Sequence, residues 1–81
     1  MHLKLSLTMT LRITTPTGIT FEGEINRIQF TSATGLMEFL PGHAPMIAEV
    51  KAGVITANDK EVECGNGVVR IENDKIEVVC E

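Results

Sequence analysis

Apolar and polar residues alternate strictly along the first stretch of the chain. Leu3, Leu5, Leu7, Met9, Leu11 and Ile13 are apolar, and His2, Lys4, Ser6, Thr8, Thr10, Arg12 and Thr14 lie between them. A period of two sends successive side chains to opposite faces of an extended strand and does not fit a helical repeat. The pattern predicts a first strand through Ile13, with residues 1–8 as its N-terminal extension. Shorter stretches of the same character come after it. Residues 19–21 read as a short strand, with Gly23 permitting a bend or bulge. Residues 25–30 read as the next, with Ile28 and Phe30 on one face. Residues 36–40, 46–50, 54–57, 61–64, 68–72 and 76–80 complete the series. Between them sit Thr15-Pro16-Thr17-Gly18, the small polar run 31–35, Asn58-Asp59-Lys60, Gly65-Asn66-Gly67 and Asn73-Asp74-Lys75, all rich in turn formers. The two Asn-Asp-Lys segments predict hairpins. No window carries a helical stripe with capping residues. The expected fold is all-β, an antiparallel β-sandwich of about ten short strands in two sheets.

A chain of 81 residues is expected to be a single domain, residues 1–81. With no Trp or Tyr and only three Phe, its core must be built from Ile, Val, Leu and Met. The formal net charge of −4, with acids and bases mixed, argues against nucleic acid, which needs a basic stripe, and against an anionic membrane surface. The N-terminus lacks the continuous apolar core of a signal peptide, because every second residue is polar. No run approaches the roughly 18 apolar residues of a membrane span, so direct membrane insertion is not expected. Cys64 and Cys80, two cysteines in all, are too few for a disulfide framework. They read as small core residues at strand ends, in a reduced intracellular protein, with a single disulfide between them left open.

The segment 35–45, G-L-M-E-F-L-P-G-H-A-P, holds two of the three prolines and one of the two histidines. Pro41-Gly42 reads as a tight turn, and Pro45 stiffens the chain beyond it, with His43 at the bend. An imidazole there invites an acid–base or ligand role. It has no partner at ligand spacing: His2 is far off, and Met46 alone does not make a metal site. Glu22 with Glu24, and Glu61 with Glu63, share strand faces and read as solvated pairs. Gly65-Asn66-Gly67 lacks the lysine and helix of a phosphate cradle. The residues thus point to no catalytic group, metal or cofactor, and to a protein whose work is contact. Met37, Phe39, Leu40, Ala44, Pro45, Met46 and Ile47 cluster about the turn, either as core or as an apolar docking surface. A second reading is a small jelly-roll metal-dependent enzyme or ligand-binding module using His43.

Residues 11–25, L-R-I-T-T-P-T-G-I-T-F-E-G-E-I, resemble the opening strand pair of the epsilon subunit of F-type ATP synthases, with Phe21 and Gly23 at matching positions. The run Pro41-Gly42-His43-Ala44-Pro45 after a Gly-led strand resembles the same family more specifically. Lys51-Ala52-Gly53 resembles the family's next turn, Lys-Pro-Gly, and residues 67–71 and 76–81 resemble the last two strands of the family's N-terminal domain. The resemblance implies a ten-stranded sandwich and a non-catalytic subunit of the central stalk. It would be a monomer within the complex, at the cytoplasmic face of a bacterial inner membrane, coupling proton-driven rotation to ATP synthesis. It implies that Thr31, Ser32, Ala33, Thr34, Gly35 and Leu36 face the c ring. It implies that Thr15, His43 and Ala48 lie beside the gamma subunit, with Met46 grouped with them. Leu36 stands where many family members carry an acid, and Glu38 where a second Gly is usual. The resemblance ends at Glu81, before the family's C-terminal helical hairpin, and a subunit without that hairpin is expected to couple without its inhibitory brake.

Overall fold

The computed structural model describes residues 7–81. Nine strands succeed one another: β1 (Met9–Thr15), β2 (Gly18–Ile25), β3 (Ile28–Ser32), β4 (Gly35–Phe39), β5 (Met46–Val50), β6 (Gly53–Ala57), β7 (Lys60–Cys64), β8 (Gly67–Glu72) and β9 (Lys75–Cys80). They form a five-stranded sheet, β2-β1-β9-β8-β5, and a four-stranded sheet, β4-β3-β6-β7. Every pairing is antiparallel except β1 with β9. No hairpin joins those two, so their direction is free, and the rest of the domain serves as the crossover. The all-β sandwich expected from the alternation is what forms.

The core is the set of inward alternate positions. Met9, Leu11 and Ile13 of β1 meet Val69 and Ile71 of β8 and Ile76 and Val78 of β9 on one side of it. Ile28 and Phe30 of β3, Phe39 of β4 and Ile55 and Ala57 of β6 come from the other sheet. Phe30 and Phe39 pack edge to face, with ring centroids 5.2 Å apart, a geometry in which one ring's positive edge meets the other's negative face.

Several expectations change. The first strand begins at Met9, because its register with β2 runs out at Ile25; Leu7 is 76% exposed. The part of the expected extension in residues 1–6 lies outside the described residues. Gly23 is not a bulge: it sits in register opposite Leu11, and the shift falls at Ile13/Thr14. There Thr20 is the extra residue, and its hydroxyl donates to the Ile13 carbonyl at 3.3 Å. The 25–30 strand breaks at Asn26-Arg27, where the chain passes from one sheet to the other. The Asn58 side-chain oxygen accepts from the Asn26 and Arg27 amides, at 2.9 and 3.3 Å, so the corner is held by a residue remote in sequence. In both Asn-Asp-Lys segments the lysine joins the strand after the turn. The turns are two residues long, with positive φ at Asn58, Asn73 and Asp74, as hairpin twist favours. Finally, Cys64 and Cys80 are buried as core residues, and they are joined in a disulfide. Strand parity puts both inside, but only the fold brings their Cα atoms to 5.9 Å.

Candidate functional site

The 40–45 segment joins β4, an edge strand of one sheet, to β5, an edge strand of the other. It therefore closes one side of the sandwich. The His43 amide donates to the Leu40 carbonyl at 3.2 Å, and Gly42 has φ +86°. These are the features of a type II turn with Pro at its first central position and Gly at its second. A Cβ at Gly42 would meet no atom within 4 Å, so the demand for glycine comes from the backbone angle and not from space. The Gly42 amide donates to Asp74 Oδ1 at 2.7 Å, and the Asp74 carbonyl accepts from the Thr10 amide at 2.8 Å. One residue of the β8–β9 turn thus fastens the loop to the start of β1. Pro41 and Gly42 take the two central positions of this turn, and Pro45 lies beyond it, just before β5. Asp74 leaves no sequence signal as a partner, because nothing local relates it to Gly42.

His43 is half-buried, and its ring lies against Phe39 with centroids 4.6 Å apart at a 48° tilt. Its Nδ1 donates to the Ala44 carbonyl at 2.7 Å. The imidazole is therefore held by an aromatic platform below and a carbonyl beside it. Among the described residues no group of three His, Cys, Asp or Glu converges to hold a metal. A fixed ring on a stiff loop suits contact.

The remaining expected contact residues are not gathered in one place. Met46 and Ala48 are half-buried and pack on the core, because they sit opposite the buried Ile71 and Val69 of β8. The outward apolar residue of β5 is Ile47, 70% exposed. The sequence carries a signal for this: Glu49 shares Ile47's parity, and a carboxylate belongs outside. Thr15 ends β1, whereas the loop is tied to Thr10 near the start of that strand, about 17 Å away at ~3.3 Å per residue. The structure therefore does not bring Thr15 next to His43.

Residues 31–36 form the β3–β4 hairpin, at the far end of β4 from the loop. Ser32 is buried; its hydroxyl donates to the Gly35 carbonyl at 2.9 Å and accepts from the Thr34 amide at 3.3 Å. The Lys51 amide donates to the Thr31 carbonyl at 2.8 Å, which ties the hairpin to the end of β5. Ala33, Thr34, Gly35 and Leu36 are exposed. Glu38 shares Leu36's face but is engaged within its own sheet, accepting from Gln29 Nε2 at 2.9 Å with Arg27 3.8 Å away.

The outer face of the five-stranded sheet carries Ile47, Arg70, Glu77, Arg12 and Glu22 side by side. Arg12 and Glu22 are in contact at 2.8 Å, both about half exposed; such a pair contributes at most about 1 kcal/mol. No helix among the described residues is long and apolar enough to cross a membrane.

The chain is similar to known proteins of one family. The profile of the ATP synthase, Delta/Epsilon chain, beta-sandwich domain matches residues 8–81. The ATP synthase epsilon chain of Desulfitobacterium hafniense is 30% identical over 78 residues, covering 91% of this chain and 59% of that one. The chain spans 57% of the length of the corresponding proteins of Prochlorococcus marinus and Campylobacter jejuni. A chain in the cryo-EM structure of Euglena gracilis mitochondrial ATP synthase (OSCP, F1 and c ring) superposes with a TM-score of 0.83 at 13% identity. That match covers 95% of this chain and 52% of that one. At that identity the likeness is one of fold.

Proposed function

Because the chain belongs to the beta-sandwich domain family of the ATP synthase delta/epsilon chain, we propose that it forms the sandwich of a non-catalytic central-stalk subunit in an F-type ATP synthase. In this reading the β4–β5 edge with its 40–45 loop binds the gamma subunit, and the β3–β4 hairpin rests on the c ring. The subunit is peripheral, on the cytoplasmic face of a bacterial inner membrane, and takes part in coupling proton flow to ATP synthesis. The observation that carries it is the matched family together with the Pro-Gly-His-Ala-Pro turn standing, rigid and accessible, on a sheet edge. Both the naming of the relatives as ATP synthase epsilon chains and the fold shared with a chain of such a complex support it.

The mechanism is mechanical. The two contact regions lie at opposite ends of β4, a strand of five residues, so they are separated by about 17 Å. Torque entering at the hairpin must reach the loop without slack. A close-packed interior has few voids to absorb displacement and transmits strain. The loop adds little compliance, since two prolines, a Gly42–Asp74 bond and the Phe39 platform all restrain it.

On this reading the contact on the gamma side is made by His43, by Leu40 at 49% exposure and by Ile47, while Met46 and Ala48 support them from beneath. Thr15 makes a separate contact from the other end of β1. In a pull-down with immobilised gamma subunit, His43→Ala and Ile47→Asp should each weaken binding about tenfold or more, equivalent to about 1.4 kcal/mol. Their melting temperatures should stay close to the parent's. Met46→Asp should behave differently, losing stability first, because it sets a carboxylate against the core. Parent-level gamma binding by both His43→Ala and Ile47→Asp would refute the placement.

A further inference from the structure

Where β9 ends, several contacts converge. Cys64 closes β7 and Cys80 closes β9; both are buried, and their bond joins one sheet to the other. The Asn66 carbonyl accepts from the Glu81 amide at 2.8 Å, and the Asn66 side-chain oxygen accepts from the Ala52 amide at 2.9 Å. Gly67 pairs directly with Cys80. A Cβ at Gly65 would lie 2.5 Å from the Glu81 carbonyl oxygen. The Gly65-Asn66-Gly67 turn thus wraps the last residues of β9, and the disulfide locks that wrap from the core side.

We propose that Cys64 and Cys80 are a reversible redox site, a latch whose closure fastens the edge strand β7 to β9. The inference rests on this corner alone and is independent of the assembly in which the domain works. The two halves differ in freedom. β9 is paired on both sides, by β1 and β8, whereas β7 is paired only with β6. Fraying of an edge strand is the cheaper opening, so Cys64 is the sulfur that reaches solvent and exchanges first. In the closing direction the Cys64 thiolate attacks a small-molecule disulfide such as glutathione disulfide, forming a mixed disulfide and releasing one thiol. The Cys80 thiolate then attacks the Cys64 sulfur and releases the second. Two cysteine thiols become one disulfide, the small disulfide is reduced to two thiols, and the two protons leave with them.

Closure links residues 16 apart in sequence, and cross-linking a loop of that size restrains the unfolded chain substantially. The test uses the whole chain. When the folded protein is reduced with dithiothreitol, freed of the reductant and incubated with glutathione disulfide, no thiol should remain titratable under denaturing conditions, and the intact mass should fall by two hydrogens from that of the reduced protein. Reduction with dithiothreitol should lower the melting temperature by about 10 °C or more. Amide exchange should then quicken at 64–67 and 79–81 ahead of the β1–β2 pair. The double variant Cys64→Ala/Cys80→Ala should melt at one temperature in both conditions. Two thiols still titratable after oxidant treatment, or equal melting of the oxidised and reduced parent, would overturn the latch.

Discussion

Replacing Phe39 with alanine is expected to lower the unfolding free energy by about 3–5 kcal/mol. The side chain is fully buried, and its removal takes away the edge-to-face partner of Phe30 and the surface on which His43 rests. A domain of this size has about 4–12 kcal/mol to lose, at roughly 0.05–0.15 kcal/mol per residue. The variant should therefore sit near its unfolding threshold at physiological temperature. Phe39→Leu separates the two roles. It keeps most of the core volume, at a cost of about 1–1.5 kcal/mol, yet it removes the flat platform beneath the imidazole. Urea titration measures both. A loss of under about 1 kcal/mol for Phe39→Ala, well below the range for a buried aromatic, would mean that the β4 end of the sandwich is not packed as described.

Gly67→Ala is the second large effect. A Cβ at this position would overlap the Val79 carbonyl oxygen and approach Cys80 Cα to 3.0 Å. Both are backbone atoms of β9. That strand is hydrogen-bonded on each side, to β1 and to β8, so it cannot yield without disturbing two registers. The expected cost is about 3 kcal/mol, or a fall in melting temperature of more than about 10 °C. Gly23→Ala is the control. It lies in β2, where an added Cβ meets only Phe21 ring atoms at 3.9 Å, which is ordinary van der Waals contact. Its change should stay within about 1 kcal/mol. Equal melting of the two variants would contradict the close approach of β8 to β9.

The alternation along the chain carries the architecture, because a half-buried strand must alternate and nearly every strand here does. Ile28 with Phe30, and Ile76 with Val78, can be assigned to the core from parity alone. The illegible features depend on partners distant in sequence. The Asn26-Arg27 corner is made by Asn58, the 40–45 loop is fastened by Asp74, and neither connection leaves a local trace. Alternation marks the capacity to pair, while the pairing of β1 with β2 runs from Met9 opposite Ile25. Which face Met46 takes is hard to read because apolar residues occur at both parities of β5, at 46, 47, 48 and 50; Glu49 alone breaks the tie. For the site, the stiff turn and the histidine on it are legible from residue chemistry; their use in docking is the proposal. Which partners meet it comes from family resemblance, since residue chemistry names no partner. Thr15 matches a position in the family's pattern and ends β1, at the opposite end of the strand from Thr10, to which the His43 loop is tied through Asp74.

The most direct test of the central claim is to purify this chain, with an affinity tag, from membranes of the cells that produce it, and to quantify what accompanies it. The gamma subunit and the c-ring subunit should co-purify under mild detergent, with one copy of the chain per gamma. Recovery of the tagged chain with neither gamma nor the c-ring subunit beside it would contradict it.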